Sequence, residues 1–216
     1  MDDPDFDDDA DDELTSPNAF FFSASGFEAA LGLAAVAVGL LFGPPANALV
    51  PALTDWREVI WGTALGCVLS LPMYLFVRWL ETLEIASVDE INQFGRDHIV
   101  PLIRDLKTTE LATLSLCAGI GEELLFRGWL QMLLTGPADE WTIPSLIIGI
   151  GIASIAFGLV HAITRMYVIV VTLMGIAFGL MLVLSGNLLV PIFAHAMFDY
   201  IQLRRAVNEE DDEHTL

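Results

Sequence analysis

Six stretches of mainly apolar residues constrain this chain more than any other feature, because a bilayer core of about 30 Å is crossed by roughly 20 helical residues. They run approximately 25–43, 58–79, 109–134, 143–162, 166–185 and 188–203. The chain is 55% hydrophobic and only 18% charged, where soluble domains average roughly 45–50% and 25%. The expected fold is therefore all-α: a polytopic transmembrane helical bundle of about six spans, with the lipid bilayer as its first partner. Trp56, Trp61 and Trp79 flank the second stretch as interfacial anchors do. Only a few residues separate the fourth stretch from the fifth and the fifth from the sixth, which makes those neighbours antiparallel.

Charge sets the expected organisation. Nine Lys and Arg against 29 Asp and Glu exclude a nucleic-acid partner, since phosphate neutralisation needs the opposite sign. Nine of the acids fall within residues 1–13 and five within 209–213. Runs of one sign stay solvated and extended, so 1–18 reads as an acidic disordered tail and 205–216 as an acidic C-terminal tail. Between them lie two N-terminal spans (19–80), a surface segment (81–108) and a helical core (109–204). In 81–108, Leu83, Val88, Ile91, Phe94, Ile99, Leu102, Ile103 and Leu106 alternate with charged residues at helical spacing. That pattern predicts amphipathic helices on the membrane surface before the third span, broken at Pro101. With the N-terminus cytoplasmic, Arg78, Arg96, Arg104, Lys107, Arg165, Arg204 and Arg205 face inside and only Arg57 faces outside. Both termini are accordingly expected in the cytoplasm. Cys67 and Cys117 lie in apolar runs and read as small packing residues.

The residues that interrupt the apolar runs carry the chemistry. Glu122, Glu123 and Arg127 stand in the middle of the third span, Phe157 and His161 at the end of the fourth, His195 and Asp199 in the sixth. Ionisable groups at depth cost a few kcal/mol each, so they face a bundle interior and mark function. Residues four apart share a helix face, so Glu123 is expected to pair with Arg127. Glu122 points elsewhere and has no charged partner in its own helix, the setting of a general base whose ionisation is held back by its surroundings. The same spacing lets Asp199 accept from one nitrogen of His195 and leave the other facing the cavity, and lets Phe157 wall His161. Glu28 interrupts the first span alone. Counting about 1.5 Å per residue from Leu111 puts Glu122 roughly 16 Å deep, whereas His161 falls at the cytoplasmic end of its span. A shared site then needs a pocket with a cytoplasmic mouth, or a fourth span that is tilted or recessed.

The strings Glu122-Glu123-Leu-Leu-Phe-Arg127, Phe157-Gly-Leu-Val-His161 and His195-Ala-Met-Phe-Asp199 resemble the EExxxR, FxxxH and HxxxN/D motifs of the CPBP family. These are the type II CAAX prenyl endopeptidases and bacteriocin-processing intramembrane proteases, also called the Abi family, and the likeness covers about 109–204. It implies an intramembrane endopeptidase that hydrolyses a membrane-associated peptide through an activated water. Glu122 would be the base and His161 would help hold the water. His195 and Asp199 would face the oxyanion, with Glu123, Arg127 and Phe157 as support. The eukaryotic enzymes usually carry Asn where this chain has Asp199; an ionised Asp199 cannot donate, so it is either protonated or an orienting acceptor for His195.

The resemblance implies no required cofactor. Glu122, His161 and His195 could alternatively ligate zinc as a His2Glu set does, although an HExxH spacing is absent. Two rival functions use the same residues. One is a non-catalytic membrane factor, such as a bacteriocin immunity or scaffold protein. The other is a proton-coupled transporter, for which six short spans leave little room. The substrate, a lipidated or amphipathic peptide, is not written in the chain.

Overall fold

The computed structural model describes residues 16–213, with side chains through Glu209; the acidic run at 2–13 lies outside the described residues. The described residues form α1 (Pro17–Phe42), α2 (Trp56–Glu81), a surface helix α3 (86–103), α4 (108–135), α5 (Ile143–Val160), α6 (Arg165–Ser185) and α7 (Leu189–Glu213). No strand occurs among them.

Several boundaries differ from expectation, each for a local reason. α1 begins at Pro17, inside the segment expected to be tail. The Ser16 hydroxyl accepts from the Ala19 amide at 3.2 Å and Pro17 opens the first turn, a strong helix start. α3 continues through Pro101 instead of breaking there. The turn before it, Gly95–Ile99, is wound wide as a π-helix, which accommodates the missing proline N–H. α7 runs on to Glu213, well past the boundary expected at residue 205. There Arg205 bridges Glu81 of α2 at 2.9 Å and Glu209 of its own helix at 2.6 Å, so part of the acidic run is neutralised on the helix.

Four helices, α1, α2, α5 and α6, are long and apolar enough to cross a membrane. The other two long helices, α4 and α7, carry the charged residues and occupy the middle of the bundle. α7 packs on α2, α4 and α6; α4 also packs on α1; α5 and α6 form a hairpin. The apolar helices thus flank the two that carry charge. A core of Met73, Phe126, Phe157, Val171, Met174, Phe178 and Ala194 joins α2, α4, α5, α6 and α7. At one end Phe20 and Phe21 of α1 pack with Ile103, Leu111 and Val207. At the other, Gly186 takes a left-handed φ of 65° to end α6, and the Asn187 amide donates to the Glu58 carbonyl at 3.0 Å. The α6–α7 turn is thereby tied to the start of α2.

Glycine sets how closely α7 is gripped. A Cβ on Gly66 of α2 would stand 2.5 Å from the Val190 carbonyl oxygen, and one on Gly119 of α4 would stand 2.8 Å from that of Ile192. Backbones approach this closely in membrane bundles through small residues. Gly66→Ala and Gly119→Ala should each lower stability by about 1–3 kcal/mol, read as a fall in melting temperature of the detergent-solubilised protein, while Gly151→Ala, where a Cβ meets nothing, should leave it unchanged.

Candidate active site

The charged residues of α4 are buried by the way its middle is wound. Leu124–Gln131 is π-helical, a widened turn often found at functional positions. Within it Arg127 still reaches back to Glu123: Nη1 donates to Oε1 at 2.7 Å, and both side chains are 0% exposed. The expected pair therefore forms, in full isolation from solvent. Arg127 also donates through Nη2 to the Gly175 carbonyl of α6 at 3.2 Å. Its guanidinium lies 4.2 Å from the Phe157 ring, 5.1 Å from Phe178 and 5.8 Å from Phe126, an aromatic cage that receives cations well.

Glu123 holds a second partner. Its Oε1 accepts from His195 Nδ1 of α7 at 3.0 Å. His195 Nε2 lies 3.3 Å from Asp199 Oδ2. Asp199 meets one imidazole nitrogen as expected, but the expectation that the other faces an open cavity is corrected: Glu123 holds it. The correction comes from a contact between α4 and α7 that spacing within one helix cannot reveal. The ring is further fixed by stacking on Phe178, centroids 4.9 Å apart, and by the edge of Phe157 at 5.9 Å.

Glu122 meets the end of α5. His161 Nε2 lies 3.5 Å from Glu122 Oε1, while its Nδ1 is 2.8 Å from the Phe157 carbonyl. Phe157 walls the imidazole at a centroid distance of 4.8 Å. The two residues meet despite their different sequence depths. α5 is only 18 residues long, about 27 Å at 1.5 Å per residue. It ends at Val160, and the next residue, His161, meets Glu122. A cavity of about 280 Å³ opens between α3 and α7 at that end, lined by Glu81, Arg96, Gln202 and Arg205 among others, and is not lined by Glu122, His161 or His195.

The structure thus brings Glu122, Glu123, Arg127, Phe157, His161, His195 and Asp199 into one cluster. Among the described residues no group of three His, Cys, Asp or Glu is placed to hold a metal ion, and both His195 nitrogens are turned to Glu123 and Asp199. Three further residues join the site. Phe178 and the Gly175 carbonyl carry no ionisable signal and were invisible to a search for charge. Glu28 of α1 stood out as an acid in an apolar run, but no motif connected it to the others.

Residues 105–201 match the family model of type II CAAX prenyl endopeptidase, Rce1-like. It is the family that the three motifs resemble, and the matched stretch contains every site residue except Glu28. No curated protein and no solved structure matches the chain. The match is to a family of endopeptidases, and the four span-length apolar helices support an integral membrane protein.

Removing Arg127 leaves Glu123 buried and uncompensated. Arg127→Met should cost about 3–5 kcal/mol, measured by thermal unfolding in detergent, whereas Glu122→Gln should leave the melting temperature near that of the parent protein.

Proposed function

We propose that this chain is an intramembrane endopeptidase in which Glu122 activates a water for attack on a peptide bond of a membrane-associated substrate. The observation that carries this reading is the approach of Glu122 Oε1 and His161 Nε2 to 3.5 Å, from two different helices, with the other carboxylate oxygen of Glu122 buried and without a partner. His161, as an imidazolium, donates through Nδ1 to the Phe157 carbonyl and through Nε2 to Oε1. Oε2 is then left for the water.

The reaction balances with these residues. Glu122 takes a proton from water as its oxygen attacks the scissile carbonyl carbon. The carbonyl electron pair moves to oxygen, and the resulting oxyanion lies toward Nε2 of His195, which exchanges its contact with Asp199 for the oxyanion. The tetrahedral species collapses, the C–N bond breaks, and Glu122 passes its proton to the leaving amine. Arg127 stays out of contact with the reacting atoms; it holds Glu123, and Glu123 holds His195. An oxyanion donor of this kind contributes about 2.7–4 kcal/mol.

We further propose that α4 and α7 cross the membrane with their four apolar neighbours, making six spans. The basic residues Arg78, Arg96, Arg104, Lys107 and Arg205 lie at the end shared by both described termini, which supports cytoplasmic termini and places α3 on the cytoplasmic face. A lipidated peptide would suit a site walled by lipid-facing helices.

Cleavage of a quenched fluorescent peptide ending in a farnesylated CAAX sequence, by protein reconstituted in vesicles, tests the reading. Glu122→Gln should lower kcat by about 10²–10⁴-fold, the usual contribution of a general base, at normal expression. Full activity in that variant would overturn Glu122 as the base, whereas no cleavage by the parent protein would leave the non-catalytic membrane factor as the better account. Asp199→Asn should keep activity within about threefold, because Glu123 already orients His195 and Asn can donate as well as accept. A larger loss would return the orienting role to Asp199.

A further inference from the structure

Glu28 of α1 belongs to none of the motifs, lies outside 105–201, and is given no role above. α1 crosses α4 so closely at Gly121 that a Cβ there would stand 2.3 Å from the Glu28 carbonyl oxygen and 3.3 Å from its Oε2. The carboxyl therefore lies against the residue that immediately precedes Glu122.

Both acids carry an orphaned oxygen. Glu28 Oε2 and Glu122 Oε2 are buried with no hydrogen-bond partner, and the Glu122 side chain is nine-tenths buried. Buried polar atoms are nearly always satisfied, and where protein supplies no donor an ordered water commonly does. Two acceptors on adjoining helices match the two O–H groups of one water. Every other acid of the cluster already faces a base: Glu123 faces Arg127, Glu122 Oε1 faces His161, and Asp199 faces His195. Glu28 alone has none among the described residues.

We propose that Glu28 is a positioning residue of the hydrolysis, accepting the second O–H of the water that Glu122 deprotonates. With one hydrogen turned to Glu122 and the other to Glu28, the oxygen lone pair is aimed at the substrate carbonyl. The carbonyl oxygen of a neutral carboxyl serves as well as a carboxylate, so glutamine at this position keeps the acceptor and leucine removes it. The role rests on the peptidase reading; the place of Glu28 on a wet, polar site does not.

Two measurements on the full chain in vesicles separate these points. In a Cys67→Ala, Cys117→Ala background, Glu28→Cys should react with a small charged thiosulfonate. Leu33→Cys, at a position 72% exposed on the same helix, should face lipid and stay unmodified. With the farnesylated peptide, Glu28→Leu should lower kcat by about 10- to 100-fold, the loss of one hydrogen bond involving a charged group. KM and melting temperature should not fall, and Glu28→Gln should recover most of kcat. A Glu28→Cys protein as inert as Leu33→Cys overturns the proposal, as does full turnover in Glu28→Leu or a melting temperature that drops with it. Modification of Glu28→Cys together with no cleavage by the parent protein upholds the wet position and overturns the reaction role along with the peptidase reading.

Discussion

The buried ion pair of Glu123 and Arg127 is the constraint on which the rest of this structure depends. Two charges at 0% exposure tolerate an apolar bundle only when each is surrounded by partners. Arg127 finds Glu123, the Gly175 carbonyl and three phenylalanine rings; Glu123 finds Arg127 and His195. Those contacts tie α4 to α5, α6 and α7 at one level. Because the penalty for leaving any of them unpaired is several kcal/mol, the relative rotation of four helices is set by one side-chain cluster.

The other residues of the candidate site inherit their positions from that cluster. Once Glu123 is turned to Arg127 and His195, its neighbour Glu122 projects about 100° away around the helix, toward the end of α5. Phe157 serves both halves, its ring under Arg127 and its carbonyl on His161 Nδ1. Three acids then face three bases, so the cluster can exist in an apolar bundle with its charges matched pairwise. The small residues finish the arrangement: Gly66 and Gly119 let α2 and α4 grip α7, and Gly121 lets α1 bring Glu28 alongside.

Much of the fold was legible because hydrophobic length is a one-dimensional signal. The third, fourth and fifth stretches begin and end within a few residues of their helices, since Pro, Gly and polar links punctuate them. The first helix begins eight residues before its apolar stretch, because Ser16 and Pro17 cap it next to the acidic run. The last ran further, because Arg205 meets acids from two directions. The Glu123–Arg127 pair was legible from four-residue spacing. The Glu123–His195 bond was not, since it joins positions 72 residues apart in the chain.

The sequence alone determined that this is a helical membrane bundle, which of its helices carry charge, and which residues within one helix share a face. Each of these follows from local periodicity and from the cost of burying charge. Only the tertiary structure decided that both nitrogens of His195 are taken, that the end of α5 meets Glu122, and that Glu28 stands beside the site. Those depend on how helices cross and how deep each one sits, and crossing and depth are properties of packing between segments that no single segment encodes.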